Sequence, residues 1–130
     1  MADLFSSFSV AASGMEAQAR RLRHVAENIA NADTPGYRRK TIDFRAEIDR
    51  AQGVTRVATG PVQLDPRDLP QIYDPGHALA DEAGFYAGST VDLMIEIADS
   101  REASRSYEAN LRVFDQTRQM AQGLLELLRR

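Results

Sequence analysis

Apolar residues recur along this chain in three regimes, and the first is a heptad. Phe8, Met15, Leu22 and Ile29 return every seven positions, and Ala12, Ala19 and Ala26 follow the first three by four. Such a repeat draws one apolar stripe along a helix and leaves its other sides wet. From Leu4 to Asn31 the helix would be a rod of roughly 42 Å. Asp3 or Ser7 suits its start, Gly14 is expected to cost about 1 kcal/mol relative to Ala, and Gln18 interrupts the seam. Burying the large stripe residues would return roughly 1.5 to 3 kcal/mol each. The helix is therefore conditional on a surface to pack against.

The second regime begins where Asp33-Thr34-Pro35-Gly36-Tyr37 stops the repeat. Thr34 precedes a proline and is pushed toward extended geometry, and Pro35-Gly36 favours a type II turn. Beyond it, Ile42, Phe44, Ala46 and Ile48 alternate with Asp43, Arg45 and Glu47, the period-two pattern of a strand with one apolar face. From Gln52 to Ser89 the pattern is broken. Residues 54–57, 62–64 and 72–73 read as short strands parted by Thr59-Gly60-Pro61, Asp65-Pro66 and Asp74-Pro75-Gly76, with Phe85-Tyr86 as another. Four of the five prolines and five of the eight glycines fall between residues 53 and 88. This stretch is expected to be a small β-rich module or an extended loop.

From Val91 the helical period returns. Leu93, Ile97, Ser100, Ser104, Tyr107, Leu111, Phe114, Arg118, Ala121, Leu125 and Leu128 follow steps of four and three, and Met94, Met120, Leu124 and Leu127 widen the stripe. Ser89 with Asp92 is the expected cap, and Arg129-Arg130 suits the negative end of the dipole. Some 55 to 60 Å of helix cannot be hidden inside so small a domain. Its natural internal partner is the first helix, as an antiparallel or steeply crossed pair. Such a pair leaves apolar positions facing outward around Gln18, Ser100, Ser104 and Arg118, which predicts lateral association with other subunits.

Composition narrows the function. The chain has 130 residues, enough for one ordinary domain, with apolar and charged fractions of 43% and 27% near the globular average. Nineteen acids against sixteen bases argue against a dedicated nucleic-acid binder. Charge is uneven: residues 41–90 carry eight acids and four bases, marking the middle as a distinct region. The absence of cysteine excludes disulfides, thiolate zinc sites and cysteine nucleophiles. No apolar run approaches the roughly 20 residues of a membrane span, and the start lacks the pattern of a cleavable signal peptide.

Candidate chemistry is sparse. Arg20, Arg21, Arg23 and His24 form one basic patch, and Arg38, Arg39 and Lys40 another; solvated surface or contact with acidic neighbours is the expected role, and His24 reads as a surface histidine. Asp74, His77, Asp81 and Glu82 could in principle hold a metal. Asp-Pro-Gly is a turn former and no second histidine is near, so no metal, cofactor or catalytic residue is expected. No phosphate loop, nucleophile elbow or paired carboxylates on regular elements are present.

Two signatures carry a resemblance. Asn28-Ile29-Ala30-Asn31 followed by Thr34-Pro35-Gly36-Tyr37-Arg38 resembles the N-terminal signature of bacterial flagellar axial proteins, and Ser106-Tyr107-Glu108-Ala109-Asn110 through Phe114 and residues 117–120 resembles their C-terminal helix motif. The block from Ile72 to His77, with Ala80-Asp81 and Gly84-Phe85, is similar to the middle of the family's short basal-body rod proteins. Thr-Pro-Gly stands where rod proteins often have Thr-Thr-Gly, and Gly88-Ser89-Thr90-Val91 replaces the usual Pro-Asn-Val.

The resemblance implies a mainly α fold in which long terminal helices pair as a coiled-coil-like layer around a middle β module. It implies a division into residues 1–38, 39–90 and 91–130. It further implies a non-enzymatic subunit that self-associates in a helical tube and touches other rod proteins and the export-gate and MS-ring base. Nucleic acid and membrane insertion are not expected. Export through the flagellar type III apparatus, without a cleaved signal peptide, would place it in a rod crossing the periplasm and transmitting torque. Phe8, Met15, Leu22, Ile29, Tyr107, Asn110, Leu111, Phe114 and Leu125 would pack helices within and between subunits. Asn28, Asn31, Pro35, Gly36 and Tyr37 would shape the exit from the tube wall. The rival readings are a nucleic-acid-associated helical protein, betrayed by steeply salt-dependent binding, and a metal-dependent hydrolase on Asp74, His77 and Asp81, betrayed by a stoichiometric ion.

Overall fold

The computed structural model describes residues 2–130. In chain order they form α1 (Ala2–Ala30), β1 (Lys40–Asp49), β2 (Val54–Leu64), β3 (Gln71–Tyr73), β4 (Phe85–Ala87) and α2 (Leu93–Arg129). The two helices pack antiparallel. Phe8 meets Phe114 edge to face with ring centroids 5.0 Å apart, Gly14 faces Asn110, Arg21 reaches Asp99, and Asn28 bonds Glu96. The fold is thus mainly helical, with a small β insert between the members of the pair.

The seam of this pair lies beside the apolar stripe, not on it. On α1 the buried residues are Ala11, Gly14, Ala17, Val25 and Asn28, while Phe8, Met15 and Leu22 are half-buried and Ala12, Ala19 and Ala26 are exposed. On α2 the buried residues are Glu96, Ala103 and Thr117. Leu93, Ile97, Leu111, Leu125 and Leu128 are exposed. Both helices are turned so that small and polar residues meet and large apolar ones flank them. Gly14 gives the reason: a Cβ there would stand 2.8 Å from the Asn110 side chain. The residue that weakens the lone helix makes room for the Asn110 side chain between the two helices.

Both helix ends follow local chemistry. Past Ala30, Tyr37 N–H donates to Thr34 O at 3.2 Å and Gly36 adopts φ 75°, the geometry that Pro-Gly dictates in a type II turn. At α2, Asp92 itself is the cap, its carboxylate accepting Met94 N–H at 3.0 Å. Ser89 does not cap the helix; its hydroxyl donates to Ala32 O and ties the α1 exit to the α2 entry.

The β insert is two separate antiparallel pairs, β1 with β2 and β3 with β4. Sequence patterning divides residues 54–64 into two strands at Thr59-Gly60-Pro61, but the structure has one. The register moves from Ile42 opposite Val62 to Phe44 opposite Thr59, so Gly60 and Pro61 form a bulge across from Asp43. A bulge accommodates the missing proline donor without ending the strand. The hairpin lies along α1: Val57 N–H donates to the Ser13 hydroxyl at 3.0 Å, and Arg20 donates to Thr59 Oγ1 at 2.8 Å.

Candidate assembly surface

The helix pair has two chemically different ends. At the end where α1 finishes and α2 begins, Asn28 is 1% exposed and uses its whole amide. Its Nδ2 donates to Lys40 O at 2.9 Å and Glu96 Oε2 at 3.3 Å, and its Oδ1 accepts Tyr37 O–H and Lys40 N–H, each at 2.9 Å. Two donors and two acceptor positions are all filled. Glu96, 0% exposed, also pairs with Arg39, whose guanidinium reaches Asp99 as well. Arg21 adds ion pairs to Asp99 at 3.3 Å and Glu102 at 3.5 Å. A buried carboxylate is tolerable here because a cation and an amide both face it.

Around this cluster the exit segment is stitched down. Asn31 Nδ2 donates to Glu27 O at 2.8 Å, and Thr34 Oγ1 donates to Asn31 Oδ1 at 3.1 Å. Gly36 N–H points between the carbonyls of Ala87 and Gly88, and Thr90 N–H donates to Tyr37 O at 3.0 Å. Lys40 Nζ donates to Glu27 Oε1 at 2.5 Å. That bond holds the Glu27 carboxyl below its ordinary range and pushes the Lys40 ammonium up. Burial raises the Tyr37 phenol. Pro35 stands in the turn between these anchors, half-buried.

The basic patches are therefore largely occupied within the chain. Arg20 pairs with Glu16 at 3.0 Å, Arg38 donates to the carbonyls of Asp65 and Arg67, and Arg21, Arg39 and Lys40 meet carboxylates. His24 is not the surface histidine its surroundings in sequence suggest: its side chain is only 20% exposed, with Nδ1 3.8 Å from Glu27 Oε2. Asp74, His77 and Asp81 serve the turn between β3 and β4. His77 Nδ1 accepts Leu79 N–H and its ring stacks on Tyr86, while Asp81 Oδ1 accepts Phe85 N–H. Among the described residues no group of three or more His, Cys, Asp or Glu is placed to hold a metal ion.

At the opposite end the surface is apolar and open. Leu4, Met120, Gly123, Leu124 and Leu127 line a shallow hollow, with Leu125 at 58% and Leu128 at 76% exposure beside it. Ile29 at 40% and Leu111 at 38% show that the outer flank of the stripe is bare along the pair. Tyr107 and Asn110 are half-buried, and Phe8, Met15, Leu22 and Phe114 sit at the seam's edge. The residues that sequence patterning misses are the seam's centre: Ala11, Gly14, Arg21, Arg39, Glu96 and Asp99. A second heptad on each helix, Gly14-Arg21-Asn28 and Glu96-Ala103-Asn110-Thr117, carries that signal for Gly14, Arg21 and Glu96, but not for Ala11, Arg39 and Asp99.

The two helices and their stitched junction coincide with the segments that match known families. Residues 8–38 match the model of the flagella basal body rod protein, and residues 82–127 match the C-terminal model of the flagellar basal body rod FlgEFG proteins. The chain is 46% identical to the flagellar basal-body rod protein FlgC of Agrobacterium fabrum, over 99% of this chain and 98% of that protein. It is 34% identical to FlgC of Salmonella typhimurium and 35% identical to FlgC of Escherichia coli O6:H1, in each case over 95% of this chain and 97% of the relative. The chain belongs to the FlgC family. FlgC proteins are structural subunits of the flagellar basal-body rod, so the open flank of the helix pair is a surface of an assembling protein. No helix among the described residues is long and apolar enough to cross a membrane.

Proposed function

We propose that the chain is a non-enzymatic subunit of the proximal rod that polymerises through its paired terminal helices into a torque-transmitting tube. Residues 1–38 and 91–130 would form the inner layer and residues 39–90 the outer module. Phe8, Met15, Leu22, Ile29, Tyr107, Asn110, Leu111, Phe114 and Leu125 are the proposed packing residues, and Asn28, Asn31, Pro35, Gly36 and Tyr37 hold the exit from the inner layer. Copies of itself, other rod proteins and the export-gate and MS-ring base are the proposed neighbours. The proposed route is type III export without a cleaved signal peptide, ending in a rod across the periplasm.

The observation that carries this reading is the displacement between seam and stripe. The pair fills its own interior with small and polar residues and leaves Ile29, Leu111, Leu125 and Leu128 on its surface. Exposed apolar rows on long helices are covered by other subunits in an assembly. Leu125→Asp, at a position already in solvent, is expected to leave the subunit folded and exported while abolishing rod assembly and swimming. Leu111→Asp is expected to do the same. Normal motility in both would end the packing role.

A further inference from the structure

We propose that the buried cluster of Asn28, Tyr37, Arg39 and Glu96 sets the axial register of α1 against α2. The middle of the seam specifies register poorly; outside the cluster, Phe8 on Phe114 and Arg21 on Asp99 and Glu102 are half-buried or partly exposed contacts at its edge. Its facing rows are spaced by sevens on both helices, with Ser7, Gly14, Arg21 and Asn28 on α1 and Glu96, Ala103, Asn110 and Thr117 on α2. Sliding α2 by one heptad, about 10.5 Å, would set Gly14 against Ala103 or Thr117 in place of Asn110. Gly14 would still meet a small or short polar residue, and Arg21 would meet Glu96 or Asn110. The large flanking residues that could interlock are only partly inserted, since Met15 and Leu22 are half-buried and Leu111 is exposed.

A slip would break the cluster, together with the Ser89–Ala32 and Thr90–Tyr37 ties at the entry to α2. Lys40 is clamped to the Asn28 amide through both its N–H and its carbonyl, each at 2.9 Å. That clamp fixes the main chain beside Arg39 relative to α1. Tyr37 O–H on the same amide and Arg39 N–H on Thr90 Oγ1 at 2.8 Å hold the segment on either side. The Arg39 guanidinium therefore projects from a fixed place and marks one height along α2, where Glu96 and Asp99 meet it together. Displaced by a heptad, Glu96 would lose both Arg39 and Asn28, in one direction coming opposite Arg21 and in the other passing the end of α1, and the buried Asn28 amide would lose its carboxylate. A buried polar cluster at one end of an otherwise permissive helical seam is the arrangement that fixes register. These are positioning residues, acting on where the outward rows stand relative to each other.

Because the chain lacks cysteine, register can be read by cross-linking the full-length protein. Val10 and Val113 line one hollow from opposite helices, so Val10→Cys with Val113→Cys reports the observed register through a short bis-maleimide. Val10→Cys with Met120→Cys or with Ser106→Cys reports a slip of one heptad either way. In the parent, the first pair is expected to link intramolecularly and the others only weakly. Arg39→Met with Glu96→Met removes both charges at similar length, and a slipped pair is then expected to rise about ten-fold. Arg39→Lys keeps the charge but not the two-pronged reach to Glu96 and Asp99, and is expected to raise it about three-fold. Slipped product at the parent level in both backgrounds overturns the proposal. Loss of the helical circular dichroism signal in both also overturns it, because the cluster would then be a requirement for folding.

Discussion

The two ends of the helix pair use the same elements and opposite chemistry. Where α1 ends, Asn28, Arg39, Glu96 and Asp99 hold the helices with hydrogen bonds and ion pairs, and the turn at residues 34–37 and the start of β1 close over them. At the far end Leu4 faces Met120 and Leu124, and the leucines beyond are in water. The polar end is satisfied inside one chain, and the apolar end is not. Hydrophobicity alone thus fails to mark the core of this subunit: its most apolar rows are exposed, and a glutamate lies at 0% exposure in its seam.

That contrast can be broken most strongly at the polar end. Glu96→Ala leaves the Arg39 guanidinium with Asp99 alone and an Asn28 donor without its partner, and should cost about 3 kcal/mol in urea unfolding. A loss under 1 kcal/mol would show that water replaces the carboxylate freely. Next comes the close approach at mid-helix. Gly14→Leu drives a side chain into Asn110 and should cost about 1 to 3 kcal/mol, although leucine is the better helix former. Stability equal to or above the parent would mean that the Asn110 side chain moves aside freely.

Smaller is the pH dependence of the Glu27–Lys40 pair. Glu27 is lowered from 4.5, so its contribution is present above that value and is lost as pH falls through the lower folded-state value. Lys40 is raised from 10.5, so its contribution is present below that value and is lost as pH rises through the higher one. Lys40→Met should flatten Glu27's share of the acid limb in a urea-midpoint titration; an unchanged limb would assign it to other carboxylates. Least affected in the isolated subunit is the apolar end, where Leu125→Asp should change unfolding free energy by no more than about 0.5 kcal/mol. A larger loss would move Leu125 into the fold's own core.

Much of the architecture is legible in the chain. The heptad to Ile29, the Pro35-Gly36 turn, the alternation from Ile42 to Ile48 and the long C-terminal period each depend on neighbours a few residues away, and each appears as an element. Less legible is which side of each helix faces the other. Patterning selects the row of Phe8, Met15 and Leu22 with Ala12, Ala19 and Ala26, but the seam runs through Ala11, Gly14, Val25 and Asn28. The bulge at Gly60-Pro61 is similar, because a proline reads as a break until pairing with the opposite strand shows one extra residue bulged out of a continuing strand.

By itself, the sequence determined the two long helices, the turn between α1 and β1 and the first strand, because turn geometry and periodicity are short-range effects along one backbone; it split β2 in two at Gly60-Pro61. Only the tertiary structure decided that Asn28, Arg39 and Glu96 meet. Residues 68 apart in the chain, Asn28 and Glu96 are partners only once two helices are brought side by side, and the desolvation that makes such a contact selective does not exist until they pack.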